Sequence, residues 1–286
     1  MENILTVNNL TRHYSDFTLD NVSFSLPKGS IMGLIGANGA GKTTTLKLLL
    51  NLIQRDSGTI SIFGKDNIKD EKEIKEQIGV VFDECYFHDN LNAADISKIM
   101  SKIYASWSKS LFSSYLSKFS LPKDKIMKQY SRGMKMKMSI AVALAHNPKL
   151  LILDEPTSGL DPVVRNEILD IFLEFIQAED HSILLSSHIT SDLEKVADYI
   201  TFIRDGKIIL SDEKDILLDN YGLIKCGQEP FSKISKDDIA GMRHNSFGYE
   251  ILVRNKKDAA RKYPGYVIDN ITTEEILLLM EKENVQ

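Results

Sequence analysis

Gly36-Ala37-Asn38-Gly39-Ala40-Gly41-Lys42-Thr43 decides the reading of this chain. The apolar run Ile31-Met32-Gly33-Leu34-Ile35 lies directly before it, and a helical spacing over Lys42–Leu50 directly after. Strand, glycine-rich turn and helix in that order make a phosphate-binding loop. Glycines let the backbone curl until successive N–H groups point inward at phosphate oxygens. The helix that follows adds free N–H groups and the positive end of its dipole. In this loop Lys42 is expected to reach the β- and γ-phosphates of ATP, and Thr43 to offer its hydroxyl to Mg²⁺. Gly36, Asn38, Gly39, Ala40, Gly41 and Thr44 complete the candidate cradle.

Working outward, residues 3–8 and 18–26 largely alternate apolar and polar side chains, as antiparallel strands do. Tyr14 lies in the loop between them. Short strands are expected at 58–63 and 78–82, then helical spacing over 91–146 with no clear strand. Strand and helix alternate again from Lys149 to residue 210. That alternation predicts an α/β fold with a mostly parallel core sheet covered on both faces. The expected organisation is a first domain over 1–214, with a helical subdomain at about 84–147, and a small α/β annex over 215–286. In the annex, 212–219 reads as helical, 249–253 and 266–268 as strands, and 272–282 as a closing helix. Gly222 and Gly227 bracket a brief strand or packed loop, and Arg243-His244-Asn245 reads as a polar run.

Leu150-Leu151-Ile152-Leu153 ends in Asp154, Glu155 and Pro156. Asp154 at the strand end is placed to hold Mg²⁺, directly or through water. Glu155, one residue on, is placed to polarise an attacking water.

Bulk properties narrow the classes. The chain has 286 residues, 43% hydrophobic and 26% charged, with a formal net charge of −5. No global positive field draws it to nucleic acid or an anionic membrane. The run from Lys123 to Lys137 is locally basic, but only Tyr130 interrupts it as an aromatic, so it reads as a solvated face beside the site. Cys85 and Cys226 match no metal or redox spacing, and neither do His13, His146 and His181. MENILTVNNL lacks the basic-then-apolar order of a signal peptide. No apolar run approaches the roughly 20 residues that span a bilayer, so any membrane part is expected on another chain.

Three more motifs follow in order: Tyr130-Ser131-Arg132-Gly133-Met134 opening a helix, Ser158-Gly159-Leu160-Asp161, and His188 after Leu184-Leu185-Ser186-Ser187. Together with the phosphate loop they resemble the ATP-binding cassette (ABC) ATPases over about residues 1–210. The first is similar to that family's signature, the second to its D-loop, the third to its switch histidine, and Tyr14 to its adenine-stacking aromatic. The resemblance implies a head-to-tail dimer in which Ser131 and Gly133 of one subunit face ATP held by Lys42 of the other. Asp161 would link the two sites, Glu155 would act as base, and His188 would contact the γ-phosphate. It further implies the ATPase subunit of an exporter, resembling bacterial drug and antimicrobial-peptide exporter ATPases and driving a separate permease at the cytoplasmic face of the membrane. The alternative is a soluble ABC ATPase working on nucleic-acid or ribosomal machinery, although the short interval from Lys42 to Ser131 leaves no room for a long coiled coil.

Three departures stand out. Arg132 occupies the place of the signature's first glycine, and Met134 that of its glutamine. Asp83 stands where many relatives carry a glutamine that senses Mg²⁺, which makes it a candidate oxygen ligand. Tyr86, Phe87 and Trp107 are candidates for a groove that receives the permease, while Ile96–Ile103 reads as helical core. Met127, Met134, Met136 and Met138 read as packing residues.

Overall fold

The computed structural model describes residues 2–281. The chain divides into two compact units, Met1–Ser211 and Asp212–Gln286. In the first, β1 (Asn3–His13), β2 (Thr18–Pro27) and β3 (Ile31–Ile35) precede α1 (Lys42–Leu49). Next come β4 (Ser57–Ile62), β5 (Lys65–Asp66), α2 (Glu71–Glu76) and β6 (Ile78–Val81). The helical run is α3 (Ala93–Ile103), α4 (Lys109–Lys118) and α5 (Arg132–Leu144). Then β7 (Leu150–Asp154), α6 (Pro162–Phe175), β8 (Ser182–Ser187), α7 (Thr190–Val196) and β9 (Tyr199–Arg204) lead to β10 (Lys207–Glu213).

Two sheets result. One is antiparallel in the order β2-β1-β4-β5. The other runs β10-β9-β3-β8-β7-β6, and its pairs from β9 to β6 are all parallel. β3, β7 and β8 are buried at every position. Such strands read as continuous apolar runs because helices or a second sheet cover both faces. Burial of Leu34, Ile152 and Leu184 with Leu5, Leu10 and Leu26 joins the two sheets in one core.

The helical run is built on local caps. Asn92 and Asp95 form a reciprocal capping box at α3, and Ser108 caps α4 through the Leu111 N–H at 3.1 Å. The expectation that Ile96–Ile103 is core holds for Ile96 alone. Ile99 and Ile103 are exposed, because α3 buries only the stripe that carries Ala93 and Ile96. Met100 instead lines an opening of about 350 Å³ with Phe82, Tyr86, Phe87 and Tyr104. Trp107 does not line it. Its indole donates to Ser97 Oγ at 3.2 Å and packs beside Phe112. Met127, Met136 and Met138 are buried and Met134 half-buried.

In the second unit, α8 (Lys214–Asn220), β11 (Gly222–Cys226), α9 (Gln228–Phe231), β12 (Ile239–Asn245), β13 (Gly248–Val253), α10 (Lys256–Lys262), β14 (Ile268–Asp269) and α11 (Thr273–Glu281) follow in turn. Their sheet has the order β12-β13-β11-β14, with antiparallel pairing. Ile224, Ile251, Val253, Ala259 and Tyr263 form a core of its own. The polar run at 243–245 is the end of β12, an edge strand, where Arg243 Nε donates to Glu250 Oε2 across the pair at 2.6 Å. The helix expected from 212 starts at Lys214, since β10 continues to Glu213. Of the strand expected over 266–268 only Ile268 is strand, as the first residue of β14, while the Tyr266 N–H donates to the Tyr263 carbonyl at 3.0 Å in a turn. The expected end of the last helix, Lys282, lies outside the described residues. Both cysteines are free, and burial pushes the Cys226 thiol pKa up, which keeps it protonated.

His146 is structural. Its ring stacks on Tyr104 with centroids 4.0 Å apart, and Nε2 lies 3.1 Å from the Ile78 carbonyl, which ties the end of α5 to β6. Burial pushes its pKa below the ordinary imidazole value, outweighing that hydrogen bond. As pH falls through the ordinary imidazole range, the unfolded chain takes up a proton that the folded ring resists, so stability is lost on the acid side. His146→Phe keeps the stack and removes the titration. Urea unfolding between about pH 7.5 and 5.5 should therefore show a smaller acid loss in the variant than in the wild type. Equal losses would mean that the folded ring charges freely.

Candidate functional site

The parallel register brings three strand ends to one edge. Ile35 lies opposite Ser187, and Asp154 opposite Ser186. The loop after β3, the carboxylates after β7 and the histidine after β8 therefore emerge side by side, where open α/β sheets bind ligands.

The loop after β3 is shaped by close approach. A Cβ on Gly36 would lie 2.3 Å from the Ile203 carbonyl oxygen, so no larger residue fits there. Gly41, at φ 113°, stands in the left-handed region as the N-cap of α1 and supplies no side-chain cap. The first N–H groups of α1 are thus left for an anion. Ala37, Asn38, Gly39 and Thr43 are exposed, Thr44 is half-buried, and Ala40 is buried.

Lys42 is only 5% exposed. Its ammonium donates to the Gly36 carbonyl at 2.7 Å and the Ala37 carbonyl at 3.2 Å. It also stands 3.2 Å from Glu155 Oε1. That contact is an ion pair by distance alone, since Oε1 is buried without a hydrogen-bond partner. The other carboxylate oxygen of Glu155 meets His188 Nδ1 at 2.6 Å and accepts the His188 backbone N–H at 3.3 Å. An ionised carboxylate only accepts, so Nδ1 carries the proton and Nε2 is the nitrogen left for a ligand. Glu155 itself sits at φ 49°, an uncommon place for a side chain of this size, and costs about 1–3 kcal/mol to hold there. One carboxylate thus stands between an ammonium and an imidazole, poised to orient a water and take a proton from it.

Thr43 Oγ1 donates to Asp154 Oδ2 at 2.8 Å. The second Asp154 oxygen accepts from Ser186 Oγ at 2.5 Å, and the Ser186 hydroxyl also accepts the Glu155 N–H at 3.2 Å. Asp154 is 1% exposed. A hydroxyl beside a carboxylate is an all-oxygen pair of the kind a hard divalent cation prefers, with water completing the shell. These residues fit Mg²⁺. Asp83, by contrast, is exposed beyond the end of β6, where it lines an opening with Glu84, Cys85, Tyr130 and Arg132. Among the described residues it has no hydrogen bond or ion pair with Thr43 or Asp154.

Tyr14 is exposed on the β1–β2 loop, with the Arg12 guanidinium carbon 5.2 Å from its ring centroid. It neighbours Phe17, whose Cζ would lie 3.0 Å from a Cβ on Gly41. Phe17 thus links the aromatic loop to the phosphate loop, a neighbour that spacing gave no reason to choose.

Ser131, Gly133 and Asp161 gather elsewhere. Ser131 caps α5 through the Met134 N–H at 3.3 Å. Asp161 caps α6 through the Val163 and Val164 N–H groups, both at 3.1 Å. An added Cβ on Gly133 would lie 3.2 Å from Val164 Cγ1. Among the described residues none of the three has a hydrogen bond or ion pair with Lys42. Ser186 is the site residue that the motifs did not single out. Its only signal is a pair of small hydroxyl residues at the end of an apolar strand.

Ser186→Ala strips Asp154 of its shortest hydrogen bond and the Glu155 N–H of its hydroxyl partner. It should cost about 1–3 kcal/mol in ligand-free denaturant unfolding. An unchanged midpoint would mean that the hydroxyl is dispensable to the carboxylate.

Residues 19–158 match the family model described as ABC transporter, and they fall within the first unit. The chain is 40% identical over 215 residues to the lantibiotic transport ATP-binding protein SrtF of Streptococcus pyogenes, covering 74% of this chain and 92% of that one. It is 38% identical over 212 residues to the bacitracin transport ATP-binding protein BcrA of Bacillus licheniformis, covering 73% and 69%. Among solved structures, the ATP binding subunit of an ABC transporter matches with a TM-score of 0.68 at 28% identity, covering 74% of this chain and 91% of that chain.

Proposed function

The chain belongs to the ABC transporter ATP-binding family, and we propose that it is the ATP-hydrolysing subunit of an exporter whose permease is a separate chain. The observation that carries this reading is the Lys42–Glu155–His188 cluster beside the phosphate loop. The relatives named for lantibiotic and bacitracin transport point to peptides or antibiotics as the cargo class.

In this reading Tyr14 stacks on the adenine. The N–H groups of the Gly36–Thr44 segment and the Lys42 ammonium take the phosphates, and Lys42 exchanges its Gly36 and Ala37 carbonyl contacts for phosphate oxygens. Mg²⁺, held through Thr43 and Asp154, would neutralise phosphate charge. Asp83 has no hydrogen bond or ion pair with Thr43 or Asp154 among the described residues, and in this reading it acts on Mg²⁺ through water. Glu155 orients the attacking water and takes its proton, while His188 steadies Glu155 through Nδ1 and turns Nε2 to the γ-phosphate.

Ser131, Gly133 and Asp161 form a separate cluster because they serve the nucleotide of a second subunit. Two chains, alike or different, then pair head to tail, and the N-terminal end of α5 in one faces the phosphates in the other. The first unit is the ATPase domain, with its helical subdomain at about 84–147. The second is an accessory domain. Among the described residues no helix is long and apolar enough to cross a membrane. In this reading, which the transport relatives support, the subunit sits at the cytoplasmic face through its permease. The basic run that nucleic-acid work would draw on is partly spent within the chain, Lys135 on Asp89 and Lys137 on Glu167.

Glu155→Gln should bind ATP yet lose at least about a hundredfold in turnover, because the base is gone while the phosphate cradle remains. Size-exclusion with ATP and Mg²⁺ should then show a trapped dimer. Near-normal hydrolysis would remove Glu155 from the role. Purification from membranes in mild detergent should recover a multispanning permease, and recovery of ribosomes or DNA instead would overturn the exporter reading.

A further inference from the structure

α6 and α7 start from the two loops that carry Asp161 and His188. Arg165 lies one turn into α6, its N–H donating to the Asp161 carbonyl at 3.0 Å. Asp192 lies in the first turn of α7, shortly after His188. Arg165 joins the two helices. Its Nε donates to Asp192 Oδ1 at 2.5 Å, and its Nη2 donates to Ser191 Oγ at 2.8 Å.

Asp192 is 1% exposed, and its second carboxylate oxygen is buried without a hydrogen-bond partner. A carboxylate this deep is tolerable only beside a cation, so the place of α7 depends on the place of Arg165. The neighbouring Leu193 packs tightly on β3. A Cβ on Gly33 would come within 2.8 Å of Leu193 Cδ1. α7 is therefore set by the strand that leads into the phosphate loop and by the helix that leaves the Asp161 loop.

We propose that Arg165 and Asp192 are positioning residues that set His188, and through it Glu155, according to the position of the Asp161 loop. The proposal rests on the composite-site reading, in which that loop meets the second subunit. Arrival of the partner moves the loop, Arg165 carries the shift into the first turn of α7, and His188 holds Glu155 in the orientation that turnover needs. The fork of the guanidinium matters, because Nε and Nη2 grip two consecutive residues of α7 at once.

The test uses the full-length chain, with steady-state ATP hydrolysis and thermal unfolding measured on the same preparations. Arg165→Lys keeps the charge and loses the fork. Asp192→Asn keeps the shape and loses the charge. Both should lower kcat by about ten- to a hundredfold with KM for ATP held within about twofold. Should Asp192→Asn fail to fold, Arg165→Lys alone decides. The double variant Arg165→Met/Asp192→Leu replaces the ion pair by an apolar one. It should recover the melting temperature without recovering kcat. Wild-type kcat in Arg165→Lys with only a lowered melting temperature, or recovery of kcat together with stability in the double variant, would overturn the proposal. Wild-type turnover in a Ser131→Arg chain, whose α5 end could no longer serve a second subunit, would overturn the composite-site reading itself, and the positioning role with it.

Discussion

Ile35 pairs with Ser187 and Asp154 with Ser186, and from those two registers the rest of the site follows. Because β3, β8 and β7 run parallel, their ends finish at one edge of the sheet. Each is then followed by a different kind of residue: a glycine loop and lysine, two carboxylates, a histidine. A slip of one residue in either pair would turn Asp154 or Ser187 to the other face of the sheet. The register is held by burial. With every position of the three strands inside, no shifted pairing keeps the same apolar surface covered.

On that frame the site stores a small imbalance. Lys42 is satisfied by two backbone carbonyls, and Glu155 by His188 on one oxygen only. The other Glu155 oxygen is buried and faces the Lys42 ammonium without a hydrogen bond. That oxygen keeps the attraction of the ammonium but has acceptor capacity to spare, and the left-handed backbone at Glu155 costs about 1–3 kcal/mol. Both features lie on the residue proposed as the base. An ordered water between Glu155 and a phosphate would use the first.

The parts legible in the sequence are those where local spacing alone determines the chemistry. Gly36–Thr43 places its glycines and lysine within one turn and one loop, so residue type and position suffice. Asp154 and Glu155 were legible because an apolar strand ends abruptly in two acids. Ser186, Phe17 and the Arg165–Asp192 pair were not, because each acts on a partner far along the chain that only the folded register brings near. β12 gave no signal in the sequence since its last residues, Arg243, His244 and Asn245, are polar on both faces of an edge strand, with no apolar alternation to betray it. Ile99 and Ile103 misled in the opposite direction. A helix spacing that looks like core says which residues share a face, not whether anything covers that face.

The separation of the two clusters is the step from fold to assembly. Ser131 and Asp161 each already perform a complete local task, capping α5 and α6. Neither needs nucleotide to be satisfied within its own chain, and neither reaches Lys42. A cap, however, leaves the remaining N–H groups of the first turn unpaired. At α5 those groups lie beside Gly133, which keeps the approach to the helix end low, and beside the arginine at position 132, which adds a positive charge. Arg132 packs against Gly159, so close that a Cβ there would lie 2.5 Å from Nη1. The signature helix and the D-loop of one chain are thereby in contact before any partner arrives. In the proposed head-to-tail pair, that contact would present Ser131, Gly133 and Asp161 to the partner as one surface.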